Sequence, residues 1–508
     1  KKADLLLANR LQEQLKIHPT LCTLLVQRGI EDFEEARRFF RTTATQLHDP
    51  FQMKGMQKAV DRIGEAIAKN EKILIYGDYD VDGTTAVAVV YTFFRALYTH
   101  IEFYIPHRFS EGYGVSEKGI QYAIDNGIKL IITLDCGIKS ISLIAKANEH
   151  GIDTIVCDHH LPGDEIPPAL AILNPKQKDC SYPYKELCGC GIGYKLISAF
   201  AVQNNIASQE VNKNLDLVAT AIAADIVPIT GENRTLAVLG LSKVNENPSI
   251  PIQALKQVSE MDKEFTITDL VFIIAPRVNA AGRMDDARKA VELFIETDLV
   301  KAMVFAKELQ GDNEDRRDID KLTTMEALDL MTSISDYQTK RSTVVYQPHW
   351  HKGVVGIVAS RLIEHHYRPT IVLTQSNGKL SGSARSIKGF NLFEGLNECA
   401  EFLENYGGHY FAAGLTLDEK HLISFSNKFD EVVRNTVPVD MFEPEIEIDA
   451  EIQFNDISAT FLKILKQFAP HGPDNMKPVF LTKNVKDYKN FSAQEKEKHL
   501  RFVVYQPN

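Results

Sequence analysis

Three short apolar runs in the first third of the chain set its architecture. Lys72 to Tyr76, Leu130 to Leu134 and Thr154 to Cys157 are unbroken, rich in isoleucine and valine, and separated by helix-compatible segments. Runs of this kind predict strands buried on both faces, the pattern of a parallel sheet covered by helices. Each run ends in polar groups: Asp78, Asp80 and Asp82 after the first, Asp135 after the second, and Asp158, His159 and His160 after the third. Ligands of open parallel sheets bind beyond the carboxyl ends of the strands, so these clusters are expected to meet at one edge. The alanine-rich run Leu215 to Ala224 reads as a buried helix that delivers a further carboxylate, Asp225.

Between Asp298 and Ser335 the composition is helical with a charged middle, Asp312 to Lys321, which predicts a long solvated helix joining two domains. Gly311 costs about 1 kcal/mol there relative to alanine and marks a point for a kink or break. A second α/β unit comes next, with strands at Thr343 to Tyr346, Thr370 to Leu373 and Leu380 to Arg385, and helices at Val354 to Glu364 and Leu392 to Phe402. The tail alternates polar and apolar positions, as in Glu445-Ile446-Glu447-Ile448, around one short helix at Ile457 to Phe468. The expected fold is α/β throughout. A parallel-sheet domain with an N-terminal helical segment covers 1–295, a connecting helix 296–338, a smaller α/β domain 339–438 and a β-rich domain 439–508.

Composition narrows the class. A chain of 508 residues with 44% hydrophobic and 25% charged residues has room for several packed domains, and excludes a small disulfide scaffold, a fibre or a disordered chain. Its apolar stretches fall short of the roughly 18 to 20 residues of a membrane-spanning helix. Seven cysteines without zinc or redox spacing, Cys188 and Cys190 included, fit a reducing cytoplasm. The chain opens on Lys1 and not on methionine, so a trimmed start is expected, and nothing near it reads as a signal peptide. Fifty-seven basic against 68 acidic residues, a net charge of −11, argue against a general nucleic-acid coat but leave room for a local basic groove.

The acids carry the chemistry. Asp78, Asp80 and Asp82 stand at alternate positions of an extended loop, where three charges on one side repel unless a cation neutralises them. Asp82 alone could simply cap the helix that begins near Thr84. Asp80, Asp82, Asp135 and Asp225 together with an imidazole are a different matter, because so much gathered charge is costly without a counter-charge. Four carboxylates balance two divalent ions, and a carboxylate and histidine set without cysteine suits Mn²⁺ or Mg²⁺ better than structural zinc.

Asp78-Tyr79-Asp80-Val81-Asp82-Gly83, Leu134-Asp135-Cys136-Gly137, Asp158-His159-His160 and Ala224-Asp225 resemble the four motifs of the DHH phosphoesterase superfamily. Within it, Arg277-Val278-Asn279-Ala280-Ala281-Gly282-Arg283, Ser381-Gly382-Ser383-Ala384-Arg385 and Gly407-Gly408-His409 are similar to the RecJ family of single-strand-specific 5′ to 3′ exonucleases. The resemblance runs over nearly the whole chain. It implies a two-metal site with Asp80, Asp82, Asp135, His159 and Asp225 as ligands and Asp135 bridging two Mn²⁺ ions, with Mg²⁺ as the alternative. It also implies that His160 faces the scissile phosphate and that Asp78 lies in the outer shell or orients the attacking water. The tail would then be the OB-like domain of that family, and the chain stops at Asn508 directly after a strand-like run.

Substrate choice has to come from elsewhere. Arg108 lies in a glycine-containing loop with Phe109 and Tyr113; arginine grips phosphate bidentately and an aromatic ring stacks on any base. On residue type alone the loop is an ordinary surface loop. The resemblance instead places Arg108, Ser383 and Arg385 at a 5′ phosphate, with Tyr113 as a stacking residue. Arg277, Asn279 and Arg283 lie where small residues allow a backbone to approach a phosphate, the alternative being a salt-bridge network of Arg283, Asp285, Asp286 and Arg288. His409 is assigned by the resemblance to substrate contact. Phe454, Phe461 and Phe468 read as core in preference to stacking residues, and the His349, His351, His365 and His366 group as ordinary histidines. The amides opening the helix after Gly353 could hold an anion, although a plain core helix is the simpler reading.

The resemblance implies an exonuclease that strips 5′ mononucleotides from single-stranded DNA in repair and recombination. It implies single-strand-binding protein and a helicase as partners, no membrane, and a monomer. Two alternatives stand beside it: a DHH phosphoesterase for short oligonucleotides or cyclic dinucleotides, and a replication scaffold without activity. Length and the extra β domain argue against the first, and the full ligand set against the second.

Overall fold

The computed structural model describes residues 1–333, 339–489, 493–495 and 499–507. They form two compact units, one of Lys1–Gly282, Asp286–Leu309 and Glu447–Asn508, the other of Arg283–Asp285 and Gln310–Ile446. The first is built on a five-stranded, all-parallel sheet of β1 (Ile73–Gly77), β2 (Ile101–Tyr104), β3 (Leu130–Leu134), β4 (Asp153–Cys157) and β5 (Ala171–Leu173), in the order β2-β1-β3-β4-β5. Every residue of β1 and β3 is buried, because helices cover both faces. The register brings three strand ends level: Gly77 pairs with Leu134 and Leu134 with Cys157. The next residues, Asp78, Asp135 and Asp158, therefore leave the sheet side by side.

Two helices behind this edge, Val81–Arg95 and Gly189–Gln203, are buried over most of their surface, as their nearly all-round apolar sequences require. A buried pair, Lys195 with Glu232 (2.5 Å), ties the second of them to the Gly231–Glu246 helix. Its charges are fully served, since Glu232 also accepts from the Tyr182 hydroxyl (2.6 Å) and the His48 amide (2.8 Å).

The C-terminal segment belongs to this unit. Phe461 and Phe468 join Leu11, Leu21, Leu24 and Leu25 of the N-terminal helices in one apolar cluster, and Phe468 meets Phe39 and Phe40 edge-on at 5.5 and 5.4 Å. Phe454 stays half-buried. Arg234 locks the junction, donating to the carbonyls of Phe39, Gln467, Phe468, Ala469 and Pro470, which end two helices. A guanidinium at two helix C-termini is well placed against both dipoles. The strands here are short pairs: Ala450–Glu451 with Phe480–Leu481, Lys486–Asp487 with Val504–Tyr505, and Ala493–Glu495 with His499–Arg501.

The helix Leu299–Ser333 runs for 35 residues without a break at Gly311. One glycine's cost of about 1 kcal/mol is too small to end a helix whose neighbours are good helix formers. The second unit holds a mixed sheet of β6 (Thr343–Tyr346), β7 (Thr370–Ser376), β8 (Lys379–Arg385), β9 (Leu403–Gly408) and β10 (Ala412–Leu417), ordered β6-β7-β8-β10-β9 with only the first pair parallel. Alternation along β7 sends Ile371 and Leu373 to one core with Phe425 and Phe429, and Val372 to another with Val355, Val358 and Leu362. The helix expected over Leu392 to Phe402 is two pieces, Leu392–Asn397 and a single 3₁₀ turn Ala400–Phe402. The one expected over Ile457 to Phe468 is Ala459–Lys466. Among the described residues no helix is long and apolar enough to cross a membrane.

Replacing Phe468, which is fully buried, by alanine is expected to cost about 3 to 5 kcal/mol. The loss should appear as a lower melting temperature and as early proteolytic release of the C-terminal segment.

Candidate metal centre

The carboxyl edge of the first sheet gathers the acids. Asp78 and Asp135 follow β1 and β3, and Asp80 caps the Val81–Arg95 helix by accepting the Gly83 amide (3.0 Å). Asp82 sits in the first turn of that helix, and Asp225 ends the Leu215–Ala224 helix. Ligand atoms of three sets, Asp135 with His159 and His160, Asp82 with His159 and Asp225, and Asp78 with Asp80 and Asp135, lie within 4.8 Å of one another. Asp135 and His159 each belong to two sets, so the sets form one continuous cluster. His159 Nε2 stands 3.2 Å from Asp135 Oδ1, 3.5 Å from Asp225 Oδ2 and 4.0 Å from Asp82 Oδ2. Neighbouring ligands on an octahedral ion of Mg²⁺ size are about 3 Å apart.

A distant helix completes the cluster. The amides of Gly189 and Cys190, at the start of the Gly189–Gln203 helix, donate to Asp82 Oδ2 (2.6 Å) and Oδ1 (2.8 Å). A side chain on Gly189 would lie 2.5 Å from the Asp135 Cβ. One glycine thus holds one carboxylate and makes room for another. Asp135 has φ of +59°, uncommon for a residue with a Cβ, and its amide still donates to the Cys157 carbonyl (2.9 Å).

Electrostatics test whether these residues fit a cation. Burial and mutual repulsion push the carboxyls of Asp78, Asp135 and Asp225 well above the usual range and that of Asp82 up to about 7. Burial holds His159 down at about 3, so its imidazole is neutral and adds no positive charge among the acids. Asp78 Oδ2, Asp135 Oδ1, Asp225 Oδ2 and His159 Nδ1 are buried without a hydrogen-bond partner. Buried polar atoms are nearly always satisfied, and oxygen and imidazole donors are the set that divalent Mn or Mg accepts. The residues fit the group.

His160 is wired differently. Its Nδ1 lies 2.7 Å from Asp158 Oδ1, and its amide donates to the same oxygen. Burial alone would lower its pKa, but the hydrogen bond and charge of Asp158 carry it above the ordinary histidine value. The Tyr113 hydroxyl lies 3.1 Å from its Nε2 and donates to the Asp135 carbonyl (3.1 Å). Arg108 stacks on the Tyr79 ring at 4.8 Å, within the loop that carries Asp78 and Asp80.

The remaining candidate substrate contacts are spread over both units. Arg277 and Asn279 lie on a helix, Ala275–Met284. Arg277 donates to the Ile273 carbonyl of the preceding turn. The close approach that Gly282 permits is to the backbone of Tyr79, since a Cβ at position 282 would lie 3.0 Å from the Tyr79 carbonyl oxygen. In the second unit, Arg283 donates to the Gly353 carbonyl (3.0 Å), and Arg385 on β8 donates to the Ser383 hydroxyl (2.8 Å). Gly356, in the first turn of the Val355–His365 helix, faces the Ser383 and Arg385 side chains. His409 follows β9 and its amide donates to the Ala412 carbonyl (2.8 Å).

Sequence reasoning missed Asp158 as the partner of His160, the Tyr113 hydroxyl and Gly189. The available signal for the last was the run Gly189, Gly191, Gly193 at the start of an apolar helix, a pattern suited to close approach and anion binding.

Fold and site together define a protein of the DHH class. Family models match in order along the chain: the DHH family, N-terminal domain, over residues 72–222, the DHHA1 domain over 340–435 and the RecJ OB domain over 448–508. The chain is 39% identical over 499 residues to the single-stranded-DNA-specific exonuclease RecJ of Bacillus subtilis, covering 97% of this chain and 62% of that protein. It is 34% identical over 480 residues to the protein of the same name from Haemophilus influenzae, covering 91% of this chain and 83% of that one. The crystal structure of RecJ in complex with Mn²⁺ from Thermus thermophilus superposes with a TM-score of 0.85 at 25% identity, over 99% of this chain and 71% of that one. A second structure, exonuclease RecJ bound to manganese, gives 0.66 at 30% identity, over 76% and 96%. This chain belongs to the RecJ family.

Gly189→Ala forces Asp135 aside, and is expected to weaken Mn²⁺ binding by about 10- to 100-fold; the rise in melting temperature on adding MnCl₂ should shrink accordingly. The raised carboxyls also make stability depend on pH. A carboxyl with a raised folded pKa stabilises below its unfolded value near 4, and that stability is lost as pH rises through the folded value, about 7 for Asp82. In EDTA, the melting temperature of Asp82→Asn relative to wild type should therefore move in the variant's favour between about pH 5 and about pH 8. With saturating Mn²⁺ the order should reverse.

Proposed function

We propose that this chain is a metal-dependent 5′ to 3′ exonuclease that hydrolyses phosphodiester bonds of single-stranded DNA and releases 5′ mononucleotides. The observation that carries the reading is the convergence of Asp80, Asp82, Asp135, His159 and Asp225 at one sheet edge, with buried ligand atoms that no protein donor serves. Relatives named single-stranded-DNA-specific exonuclease, at 34 to 39% identity, supply the substrate class.

In this reading those five residues would hold two Mn²⁺ ions, with Mg²⁺ as the alternative. Such ions, when bound, lower the pKa of a water and offset charge developing on phosphate. The chain's own groups do the rest. Asp78 orients the water whose oxygen attacks phosphorus, and the bond from phosphorus to the 3′ oxygen of the terminal nucleotide breaks. His160, held as a donor by Asp158, faces a phosphate oxygen. Arg108, Ser383 and Arg385 take the 5′ phosphate, the half-exposed ring of Tyr113 offers a stacking face, and Arg277, Asn279, Arg283 and His409 contact the strand. All seven cysteines are free, which fits a reducing cytoplasm. A helicase that supplies the strand and a protein that coats it are the proposed partners in repair and recombination, with the chain acting as a monomer.

The test is hydrolysis of 5′-phosphorylated, internally labelled single-stranded DNA with Mn²⁺ or EDTA. Wild type with metal should release mononucleotides from the 5′ end alone, and Asp135→Ala should lower kcat by at least about a thousandfold. Intact long DNA alongside a hydrolysed dinucleotide would keep the metal centre and replace the substrate.

A further inference from the structure

The loop Gly112-Tyr113-Gly114 touches the metal centre at three points. The Tyr113 hydroxyl donates to the Asp135 carbonyl and lies beside His160 Nε2, both at 3.1 Å, while the Gly114 amide donates to Asp78 Oδ1 at 3.3 Å. The loop is itself anchored, since the buried Tyr76 hydroxyl donates to the Gly114 carbonyl (3.2 Å). Gly112 and Gly114 have φ of +88° and +80°, which sets the tyrosine between two turns that favour glycine.

Asp135 is where the contact matters. Its left-handed backbone, φ +59°, is a conformation that persists only where the surroundings over-determine it. Its amide is tied to Cys157, and its side chain packs against Gly189. Tyr113 is the group that meets its carbonyl, and so fixes the peptide plane beyond the residue. Base stacking needs only the ring of Tyr113, whereas both contacts with the centre are made by its oxygen.

We propose that Tyr113 is a positioning residue whose hydroxyl fixes the strained Asp135 peptide and the His160 imidazole, and thereby sets the affinity of the centre for its divalent ions. The proposal rests on the metal-dependent hydrolysis described above. It is tested on the full chain by titrating Mn²⁺ calorimetrically without DNA, for wild type, Tyr113→Phe and Tyr113→Ala, followed by steady-state kinetics on single-stranded DNA. Tyr113→Phe is expected to bind Mn²⁺ about 10- to 100-fold more weakly, as loss of an outer partner of a ligand does. Its kcat should fall most at limiting Mn²⁺ and recover only in part at high Mn²⁺, the remaining shortfall being that of an unheld His160, with KM for DNA unchanged. Tyr113→Ala should show the same loss of Mn²⁺ affinity together with a raised KM. A Tyr113→Phe protein that binds Mn²⁺ and turns over like wild type, with only Tyr113→Ala impaired through KM, makes Tyr113 a stacking residue and overturns the proposal. Absence of Mn²⁺ uptake by wild type overturns the metal reading itself, which separates that failure from this one.

Discussion

The repulsion among acids brought to one sheet edge is the constraint around which the first unit is built. Two like charges 4 Å apart repel by about 4 kcal/mol at an effective dielectric of about 20. A helix N-terminus returns about 1 to 2 kcal/mol. The two N-termini at the site, one under Asp80 and one under Asp82, therefore orient their carboxylates without neutralising the cluster. Protons at low pH or divalent ions at neutral pH must supply the remaining charge. That is why the folded carboxyls titrate high, and why the register of β1, β3 and β4, which makes the cluster unavoidable, is also what makes it useful.

The same arithmetic separates the two histidines. His159 and His160 are adjacent in sequence, but burial leaves the first neutral while Asp158 lifts the second above its ordinary value. A neutral imidazole offers a lone pair, and one held against a carboxylate keeps its proton more readily. The proposed division into ligand and phosphate donor follows this difference, and Asp158, which makes it, hydrogen-bonds to only one of the two rings.

How much of this was legible in the sequence depends on the range of each interaction. Unbroken apolar runs mark β1, β3 and β4 almost residue for residue, because burial on both faces is a local property of the strand. The acids after them were legible for the same reason. Gly189 was not, because its partner Asp82 is 107 residues away and nothing in a local pattern ties a glycine to a distant carboxylate. Small residues around Arg277 and Asn279 suggest a backbone free to approach a phosphate, but alanine and glycine also let a helix pack closely, and Gly282 of the Ala275–Met284 helix approaches the Tyr79 backbone instead. Phe461 and Phe468 read as core and are core, yet the N-terminal helices they pack against lie at the other end of the chain.

A net charge of −11 looks at odds with the proposed polyanionic substrate until the charges are located. Asp80, Asp82, Asp135 and Asp225 belong to a cluster that needs cations, so once ions are bound they cease to repel a phosphate. Arg108 has its guanidinium on the Tyr79 ring and Arg385 has its own beside a serine hydroxyl. Arginines held this way lose little rotamer freedom on meeting a phosphate, and stacked guanidiniums are more weakly hydrated than lysine ammoniums. Net charge counts every exposed acid equally, whereas a strand meets only the few groups along its path. The sign of the whole chain therefore says little about affinity for a strand, and in the proposed reading the ionised carboxylates of the centre repel a phosphate until cations offset them.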